Sequence, residues 1–362
     1  MKVAIDGRRL QDRPWGGVGR YLAHVVPRVA AEIEVVVLTD ARRPPPVVDG
    51  LDGLLRPLTV PPRLPETFWL HGAVPMWLRH WNGLFHGTYN AVPLLGGGRT
   101  VVTIHDLSWE HHDEDFRPLA RRVFQLQGRA SARSAKRILT PADVVRQDVA
   151  RTYGVDPRRI IVSANAVDPI FGAAPDDEIA ATLAILGVTP PYVVAMGGAP
   201  RRALPVAVDA WQASGAPELG YGLVVTGSER PAMPASSGDP GITWVGRVPD
   251  ATWAALLAGA SAFCYPTRFE GFGMPGLEAA ASGTPVVCAR IPSLVEILGE
   301  AAEWCPRPVV EDIAAGLRRV LSEPGRRDDL AALGLERAAA APDWDDAAEA
   351  ALRAYREASS SP

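Results

Sequence analysis

The sequence predicts an α/β protein of two doubly wound, Rossmann-like domains that face a cleft. Short apolar runs with strand character alternate with helical patterns along most of the chain, and this alternation is typical of parallel sheets covered by helices. The chain has 362 residues, which exceeds one ordinary domain of about 150 residues, so two domains are expected.

The first domain opens with a βαβ unit. A strand at residues 3–6 leads into a glycine-rich loop at 15–19, a helix from about Val18 and a second strand at 34–39. Further apolar runs complete the predicted sheet at residues 84–86, 100–105, 137–139 and 160–162. This N-terminal domain is placed at residues 1–170.

A second domain follows a weakly patterned stretch. Residues 165–191 contain scattered Asp, Pro and Gly, which favours a domain boundary there. The alternation resumes at YVVAMGG and continues through PVVCAR and AEWC, so the second domain is placed at residues 171–340. Pro324 and Pro342 interrupt the helical tail, and residues 341–362 are expected to return to the first domain as a helix.

Composition excludes several classes of protein. Apolar residues make up 47% and charged residues 22% of the chain, which argues against disordered, collagen-like and coiled-coil proteins. A formal net charge of -4 provides no general positive field, so no nucleic-acid partner is expected. The absence of an apolar run of about 18 residues and of a charged leader predicts that the protein is neither exported nor membrane-spanning.

The number and spacing of the cysteines predict the redox state of the cellular compartment. The three cysteines, Cys264, Cys288 and Cys305, are odd in number and lack C-x-x-C spacing. Two of them lie in apolar strand-like runs, so we predict buried thiols in a reducing cytoplasm.

The strongest local signal is RFEGFGMPGLEAAASGTPVV, which carries Glu270 in a loop and Glu278 on the following helix. Carboxylates accept hydrogen bonds from hydroxyl groups, and amides at a helix N-terminus suit phosphate or sugar oxygens. The amides in question are those of Gly271, Phe272, Gly273 and Met274. A nucleoside diphosphate sugar presents both kinds of group. The alternative is that Glu278 is a surface residue and the glycines only shape a turn.

Two other segments suggest phosphate binding. Arg201 and Arg202 follow the strand YVVAMGG, and cations at a strand end fit a phosphate, although two solvated arginines are the alternative. In the segment WGGVG, Gly16 and Gly17 would let the backbone approach a phosphate closely. A nicotinamide-binding motif needs a tighter G-x-G-x-x-G directly after the strand. Here a polar insertion separates Gly7 from the glycines at 16–19, so a redox enzyme is disfavoured.

His105 ends the apolar run TVVTIHDL, which places it at the ligand edge of the predicted sheet. It is the candidate reacting-site histidine, and a hydrogen-bonded structural histidine is the alternative. The nearby His111, His112, Asp113 and Asp115 match no metal-site spacing, so no metal site is predicted.

The segment at residues 117–137 contains seven cations and no acid. On a helix, Arg122, Arg129, Arg133 and Lys136 would fall within about 60° of one another. Such a basic face could meet an anionic membrane at the inner face of the cell envelope or a pyrophosphate-linked acceptor. A solvated surface is the alternative.

These segments resemble the signature of the family 4 retaining glycosyltransferases, also called group 1, which adopt the GT-B fold. The resemblance covers nearly the whole chain, through GGVGRY, TIHDL, YGVDPRRIIVSANAVDPIF, GGAPRRAL, WVGRVPD, PTRFEGFGMP and DWDDAAEAALRAY. The chain departs from the family pattern at Arg202, where a lysine is usual, at Ala203, where an asparagine is usual, and at Ala166, where a glycine is usual.

The resemblance implies that residues 1–170 form the acceptor-binding domain and residues 171–340 the nucleotide-sugar-binding domain. It also implies roles for individual residues. Glu270 would approach the donor sugar, Glu278 would hold the ribose, and the arginine pair would stabilise the departing diphosphate without a metal or other cofactor. It assigns the catalytic roles to His105, Glu270, Arg201 and Arg202. It assigns donor contacts to Gly16, Gly17, Arg201, Arg202, Gly246, Val248, Gly271, Phe272, Gly273, Met274 and Glu278.

The function implied is retaining transfer of a hexosyl group from a nucleotide sugar to an acceptor hydroxyl. The AIDGR opening with GGVGRY resembles bacterial polysaccharide mannosyltransferases and favours GDP-mannose as donor. The acceptor would be a carbohydrate, a lipid-linked molecule or a small molecule. The alternatives are a GT-B sugar phosphorylase, a nucleotide-sugar epimerase and a degenerate nucleotide-sugar-binding protein.

Overall fold

A computed structural model describes residues 1–94, 99–172, 175–227 and 240–360. They form two compact units, one of residues 1–166 with 342–362 and one of residues 167–341. Each unit contains one parallel sheet with helices packed on it, so the predicted fold class of two doubly wound domains is confirmed.

The first unit contains a seven-stranded sheet in the order β3-β2-β1-β4-β5-β6-β7. Its strands are β1 (Lys2–Asp6), β2 (Glu34–Asp40), β3 (Leu55–Leu58), β4 (Leu84–Gly87), β5 (Thr100–Thr103), β6 (Arg137–Thr140) and β7 (Ile160–Val162). All neighbours are parallel; Val3, for example, pairs with Val35 on one side and Leu84 on the other. The strand order reverses between β1 and β4, which creates a ligand-binding crevice in sheets of this type.

The helices of this unit before residue 166 are α1 (Gly17–Glu32), α2 (Glu66–Phe68), α3 (Val74–Leu78), α4 (Ser108–His111), α5 (Pro118–Ser134) and α6 (Asp143–Tyr153). A π-helical turn, Trp69–Ala73, joins α2 to α3. Neither this helical segment nor β3 was predicted from the sequence.

Two sequence interpretations need correction here. The loop was predicted at residues 15–19, but residues 17–19 belong to α1, which begins at Gly17. Gly19 lies in the first turn, where a Cβ would come within 2.8 Å of the Arg9 carbonyl oxygen, so close packing requires this glycine. The four-residue basic face is also wrong, because α5 ends at Ser134 and Lys136 lies beyond it.

The second unit contains a six-stranded parallel sheet in the order β10-β9-β8-β11-β12-β13. Its strands are β8 (Tyr192–Met196), β9 (Gly222–Thr226), β10 (Ile242–Gly246), β11 (Ala262–Tyr265), β12 (Val286–Ala289) and β13 (Ala302–Cys305). Its helices are α7 (Asp176–Leu186), α8 (Leu204–Ala213), α9 (Asp250–Ala258), α10 (Met274–Ala281), α11 (Pro292–Leu298), α12 (Val310–Ser322) and α13 (Pro324–Ala339). The strand order reverses between β8 and β11.

The central strands β8, β11 and β12 of the second unit's sheet are buried on both faces. Phe263 and Tyr265 of β11 pack into one core cluster, while the intervening Cys264 packs into the cluster on the opposite face. All three cysteines are buried and form no disulfide, and burial, reinforced by Glu303, raises the pKa of the Cys305 thiol to about 12. The thiols are therefore protonated core residues.

The last helix, α14 (Trp344–Ser360), packs against α1 and the strands β4 to β7 of the first unit. The Tyr355 hydroxyl lies 2.7 Å from His86 Nδ1, and Arg137 Nε donates to Glu357 Oε2 over 2.7 Å. The Ser163 hydroxyl donates to the Ala347 carbonyl over 3.0 Å. Residues distant in sequence thus complete one core.

The longest described helices, α5 and α14, have 17 residues each. Across the described ranges, none of the helices combines the length and the apolar content that are needed to cross a bilayer.

His86 is a buried base in this core. Its side chain is held between the Tyr355 hydroxyl and the Thr103 hydroxyl, each 2.7 Å from a ring nitrogen, and the residue is only 2% exposed. Burial, reinforced by the neighbouring His105, lowers the pKa of His86 to about 3. The imidazole is therefore neutral in the folded protein.

This burial predicts acid sensitivity of the fold. Between pH 6.5 and about pH 3 the unfolded chain binds a proton on His86 that the folded chain does not, so the free energy of unfolding should fall as the pH falls. His86→Gln should remove up to about 1.4 kcal/mol per pH unit from that slope. Urea denaturation between about pH 4.5 and 7 measures the slope. The exposed His80, changed to Gln, is the control and should keep the wild-type slope; an unchanged slope in His86→Gln contradicts the prediction.

Candidate active site

The two loops that follow β8 and β11 meet at the carboxyl edge of the second unit's sheet. These strands are neighbours at the point where the strand order reverses, and in doubly wound sheets the crevice at this point binds ligands. The loop after β8 carries Arg201 and Arg202, and the loop after β11 carries Glu270. The topology therefore brings together residues that are almost seventy positions apart, as the 69-residue separation of Arg201 and Glu270 shows.

Three of the predicted catalytic residues form one cluster. Arg201 Nη2 donates to Glu270 Oε2 over 3.3 Å, and Arg202 Nε lies 3.9 Å from Glu270 Oε1. The second distance is an ion pair but too long for a hydrogen bond. Arg202 Nη1 donates to the Gly197 carbonyl over 2.8 Å, whereas its buried Nε has no hydrogen-bond acceptor in the part of the chain that the structure describes.

Tyr265, the last residue of β11, belongs to this cluster and was not predicted. Its hydroxyl donates to Glu270 Oε1 over 2.6 Å, and its side chain is fully buried. Burial and the Glu270 charge raise the pKa of the phenol well above its ordinary value, so the hydroxyl keeps its proton and stays a donor. The available signal was an aromatic hydroxyl at the final position of a strand that ends at the ligand edge.

The arginine loop is held in a strained conformation. Ala203 has a φ of +49°, a left-handed conformation that costs a non-glycine residue about 1 kcal/mol or more. The loop after β11 supports it, because the Arg268 amide donates to the Arg201 carbonyl over 2.8 Å and the Thr267 hydroxyl donates to the same oxygen over 3.3 Å. The backbone of the arginine pair is therefore fixed before any ligand arrives.

The glycine-rich turn before α10 presents a row of backbone donors. Gly273 has a φ of +105°, and a Cβ there would overlap the Leu294 side chain, so only glycine fits. Within the described ranges, none of the amides of Gly271, Phe272, Gly273 and Met274 donates a hydrogen bond. These amides therefore have no acceptor among the described residues and suit an anionic or hydroxyl oxygen.

Glu278 lies on α10 and is only 3% exposed, so the alternative of a surface residue is wrong. Its Oε2 accepts a hydrogen bond from Trp253 Nε1 over 2.8 Å. The carboxylate thus has a structural partner in addition to the ribose contact that the resemblance implies.

The predicted donor contacts Gly246 and Val248 lie at and just after the end of β10, the outer strand of the sheet. The Gly246 carbonyl accepts hydrogen bonds from the Gly227 amide and the Thr226 hydroxyl, each over 2.9 Å. Gly246 and Val248 lie at the same carboxyl edge of the sheet as the cluster of Arg201, Arg202 and Glu270. Strand β9, however, separates β10 from β8.

His105 follows β5 in the first unit and is held by the loop after β4. Its Nε2 lies 2.9 Å from the Thr88 carbonyl oxygen, which can only accept, so this nitrogen carries the hydrogen. Burial lowers the pKa of His105, so the ring is neutral and its Nδ1 is an acceptor. Asn90 has a φ of +59°, and its Oδ1 accepts from the His105 amide over 2.8 Å. No motif or spacing indicated this supporting role of Asn90.

The glycine pair lies in the same part of the first unit as His105. Gly16 caps the N-terminus of α1 and Gly17 is its first residue. One turn later, the Tyr21 ring meets the His105 ring edge-on, with centroids 6.0 Å apart. A Cβ on Gly16 would meet no atom of the described residues within 4 Å, so packing against them does not explain this glycine.

The histidines near residue 111 have partners of their own. His111 Nε2 lies 2.8 Å from Asp148 Oδ2. In the described part of the chain, no group of three or more His, Cys, Asp or Glu side chains is arranged to hold a metal ion.

Two family models match the chain. The model described as Glycosyltransferase Family 4 matches residues 15–171, and the model described as Glycosyl transferases group 1 matches residues 190–323. A curated relative, O-antigen chain mannosyltransferase B of Escherichia coli, is 29% identical over 379 aligned positions that cover 95% of this chain and 96% of the relative.

Solved glycosyltransferase structures share the architecture. WaaG, a glycosyltransferase involved in lipopolysaccharide biosynthesis, matches with a TM-score of 0.76 at 18% identity, over 97% of this chain and 98% of that one. HepE of Anabaena, solved in complex with UDP and glucose, matches with a TM-score of 0.73 at 16% identity, over 97% and 98%. At these identities the likeness shows the fold alone, which is GT-B. Together, the two family models and the full-length relative show that the chain belongs to glycosyltransferase family 4, the group 1 glycosyltransferases.

Proposed function

We propose that the protein transfers a hexosyl group from a nucleotide sugar to an acceptor hydroxyl, with retention of the anomeric configuration. The observation that carries the proposal is the cluster of Arg201, Arg202 and Glu270 beside the unused amides of residues 271–274, at the point where the second sheet's strand order reverses. Cations and amides suit the diphosphate, and carboxylates suit sugar and ribose hydroxyls.

The arginine pair is proposed to stabilise the leaving group. As the glycosidic bond breaks, negative charge grows on the departing diphosphate, and fixed guanidinium groups lower the energy of that state. The buried Nε of Arg202 lacks an acceptor among the described residues, and a phosphate oxygen would provide one. The charge needed is therefore available from side chains, so the proposed reaction requires no divalent metal or other cofactor.

The carboxylates and His105 are proposed to position the substrate. Glu270, fixed by the Tyr265 hydroxyl, would accept hydrogen bonds from the donor sugar, and Glu278 from the ribose. Neutral His105 would accept a sugar hydroxyl hydrogen at Nδ1. The acceptor oxygen forms the new bond to the anomeric carbon, while the leaving phosphate oxygen takes the acceptor's proton on the same face.

We favour GDP-mannose as the donor because the E. coli relative is an O-antigen chain mannosyltransferase. HepE was solved with UDP and glucose, so a uridine donor is the competing choice. The acceptor is proposed to be a carbohydrate, a lipid-linked molecule or a small molecule. The buried free thiols favour a reducing compartment, so we place the protein in the cytoplasm.

A thermal-shift panel of nucleotide sugars followed by turnover assays tests this function. GDP-mannose at about 100 times its dissociation constant should add about 2.7 kcal/mol of apparent stability. Turnover with an acceptor panel should survive EDTA, and NMR of the product should show the donor's anomeric configuration. Dependence on inorganic phosphate would identify a phosphorylase, acceptor-free conversion an epimerase, and binding without turnover a degenerate protein. Activity lost in EDTA and restored by manganese or magnesium contradicts the metal-free reaction.

The double change Arg201→Ala with Arg202→Ala should lower kcat on the order of a hundredfold or more, since each lost charge-assisted contact is worth about 1.5–3 kcal/mol. Restoring a lysine at position 202 should recover much of the rate. The matched control is Arg307→Ala with Arg318→Ala, two arginines elsewhere in the same unit that should leave kcat unchanged. Melting curves of all variants separate folding from catalysis, and near wild-type turnover by the first double variant would place the cations outside the site.

Glu278→Gln should weaken nucleotide binding about tenfold or more, because it removes a charged acceptor for the ribose hydroxyls. Gln is preferred to Ala since its amide oxygen can still accept from Trp253, whose burial makes an unpaired indole costly. Trp253→Phe is the control: it should lower the melting temperature while largely preserving nucleotide affinity. Isothermal titration calorimetry with the nucleoside diphosphate measures the affinity of each variant. Wild-type affinity in Glu278→Gln would refute the assignment of Glu278 to the ribose.

A further inference from the structure

The loops that follow β1 and β4 lie together at the carboxyl edge of the first unit's sheet. These two strands are neighbours at the point where the strand order reverses. The Thr88 hydroxyl donates to the Asp6 carbonyl over 2.7 Å, which joins the two strand ends. Ligands of doubly wound sheets bind beyond the carboxyl ends of the strands at such a point, so side chains displayed by these loops are candidates for ligand contact.

Tyr89 lies between two residues that hold His105. The Thr88 carbonyl oxygen is 2.9 Å from His105 Nε2, and Asn90 Oδ1 accepts from the His105 amide over 2.8 Å. Thr88 is fully buried, whereas Tyr89 is 38% exposed. The loop therefore uses the two flanking residues to fix the histidine and presents the tyrosine side chain to the solvent beside them.

Arg9 covers one face of the Tyr89 ring. Its guanidinium carbon lies 3.9 Å from the ring centroid, which is a close cation–π contact. Arg9 Nη1 also donates to Asp12 Oδ2 over 2.9 Å, so the guanidinium is held in place beneath the ring. The exposed area of the ring therefore belongs to its other face and its edge. A ring supported in this way loses little freedom when a ligand stacks on it.

The fold makes little use of the Tyr89 side chain. Its hydroxyl forms no hydrogen bond with the residues that the structure describes. Trp15, the aromatic residue of the loop after β1, differs in this respect, because its indole donates to the Leu10 carbonyl over 3.0 Å. A Cβ on Gly19 would also come within 2.9 Å of the Trp15 ring, so the tryptophan is packed against α1. Neither a hydrogen bond nor core packing explains the aromatic ring at position 89.

We infer that Tyr89 is a stacking platform for a pyranose ring of the acceptor. The inference rests on the proposed function, since its ligand is the substrate that receives the hexosyl group, and it narrows that substrate to a carbohydrate. A pyranose presents a face of C–H bonds, which suits the open face of the aromatic ring, and a rim of hydroxyls, which suits the phenolic hydroxyl. An acyl chain would need a continuous apolar groove, whereas this ring is flanked by Arg9 and Asn90.

Saturation-transfer difference NMR with the full chain tests the inference. The probes are the methyl α-pyranosides of mannose, glucose and galactose, each measured without nucleotide and again with GDP or UDP, so the result does not depend on turnover. At least one glycoside should bind the wild type, with the strongest signals from the protons of one ring face. Tyr89→Ala should weaken this binding about tenfold or more, because the stacked area is lost. Tyr89→Phe keeps the ring and should weaken it only about threefold.

Phe124→Ala is the matched control, because Phe124 is also 38% exposed but lies on α5. This variant should bind the glycosides as the wild type does, and melting curves check the folding of every variant. Failure of all three glycosides to bind the wild type, wild-type affinity in Tyr89→Ala, or an equal loss in Phe124→Ala overturns the inference.

The donor gives a second readout. The thermal shift that a nucleotide sugar produces should be the same in Tyr89→Ala and in the wild type, because the platform holds the acceptor. Loss of that shift would assign the ring to the donor and overturn the inference. Glycoside binding that depends on Tyr89 in a protein without transferase turnover would support the platform and count against the proposed function, so the two failures are distinguishable.

Discussion

A nearly buried carboxylate organises the ligand edge of the second unit. Glu270 loses most of its hydration there, so its charge must be met by donors from the protein. Three side chains from two places meet that charge: Tyr265 at the end of β11, and Arg201 and Arg202 in the loop after β8. The ion pair therefore joins the two loops at the reversal of strand order. The backbone next to the left-handed Ala203 is held by the Arg268 amide and the Thr267 hydroxyl, which donate to the Arg201 carbonyl.

The ion pairs of Glu270 with Arg201 and Arg202 also affect how an anionic ligand would bind. In the free protein, Glu270 offsets part of the charge of the two arginines, which keeps adjacent guanidinium groups close without strong mutual repulsion. A diphosphate that enters would compete with Glu270 for the two arginines. The amides of residues 271–274 would add donors that have no acceptor in the described ranges. Binding would thus redistribute existing contacts, and little new order would have to be created.

Much of the architecture could be predicted from the sequence, because strands buried on both faces give continuous apolar runs such as YVVAM. The short β3 and the π-helical turn near Trp69 were missed since neither carries a clear period. At the candidate site, motif residues were identifiable, whereas Tyr265 and Asn90 act through tertiary hydrogen bonds that spacing does not reveal. Lys136 was misplaced because a periodic pattern does not show that a helix ends two residues earlier.

The contribution of α14 to the first unit makes the chain order differ from the folding order. Residues 167–341 form a continuous unit, which can complete its core as soon as it leaves the ribosome. The first 166 residues, although synthesised earlier, lack the helix that covers β4 to β7 and supplies the Tyr355 hydroxyl to His86. During translation the N-terminal sheet therefore remains partly uncovered until the other unit has emerged.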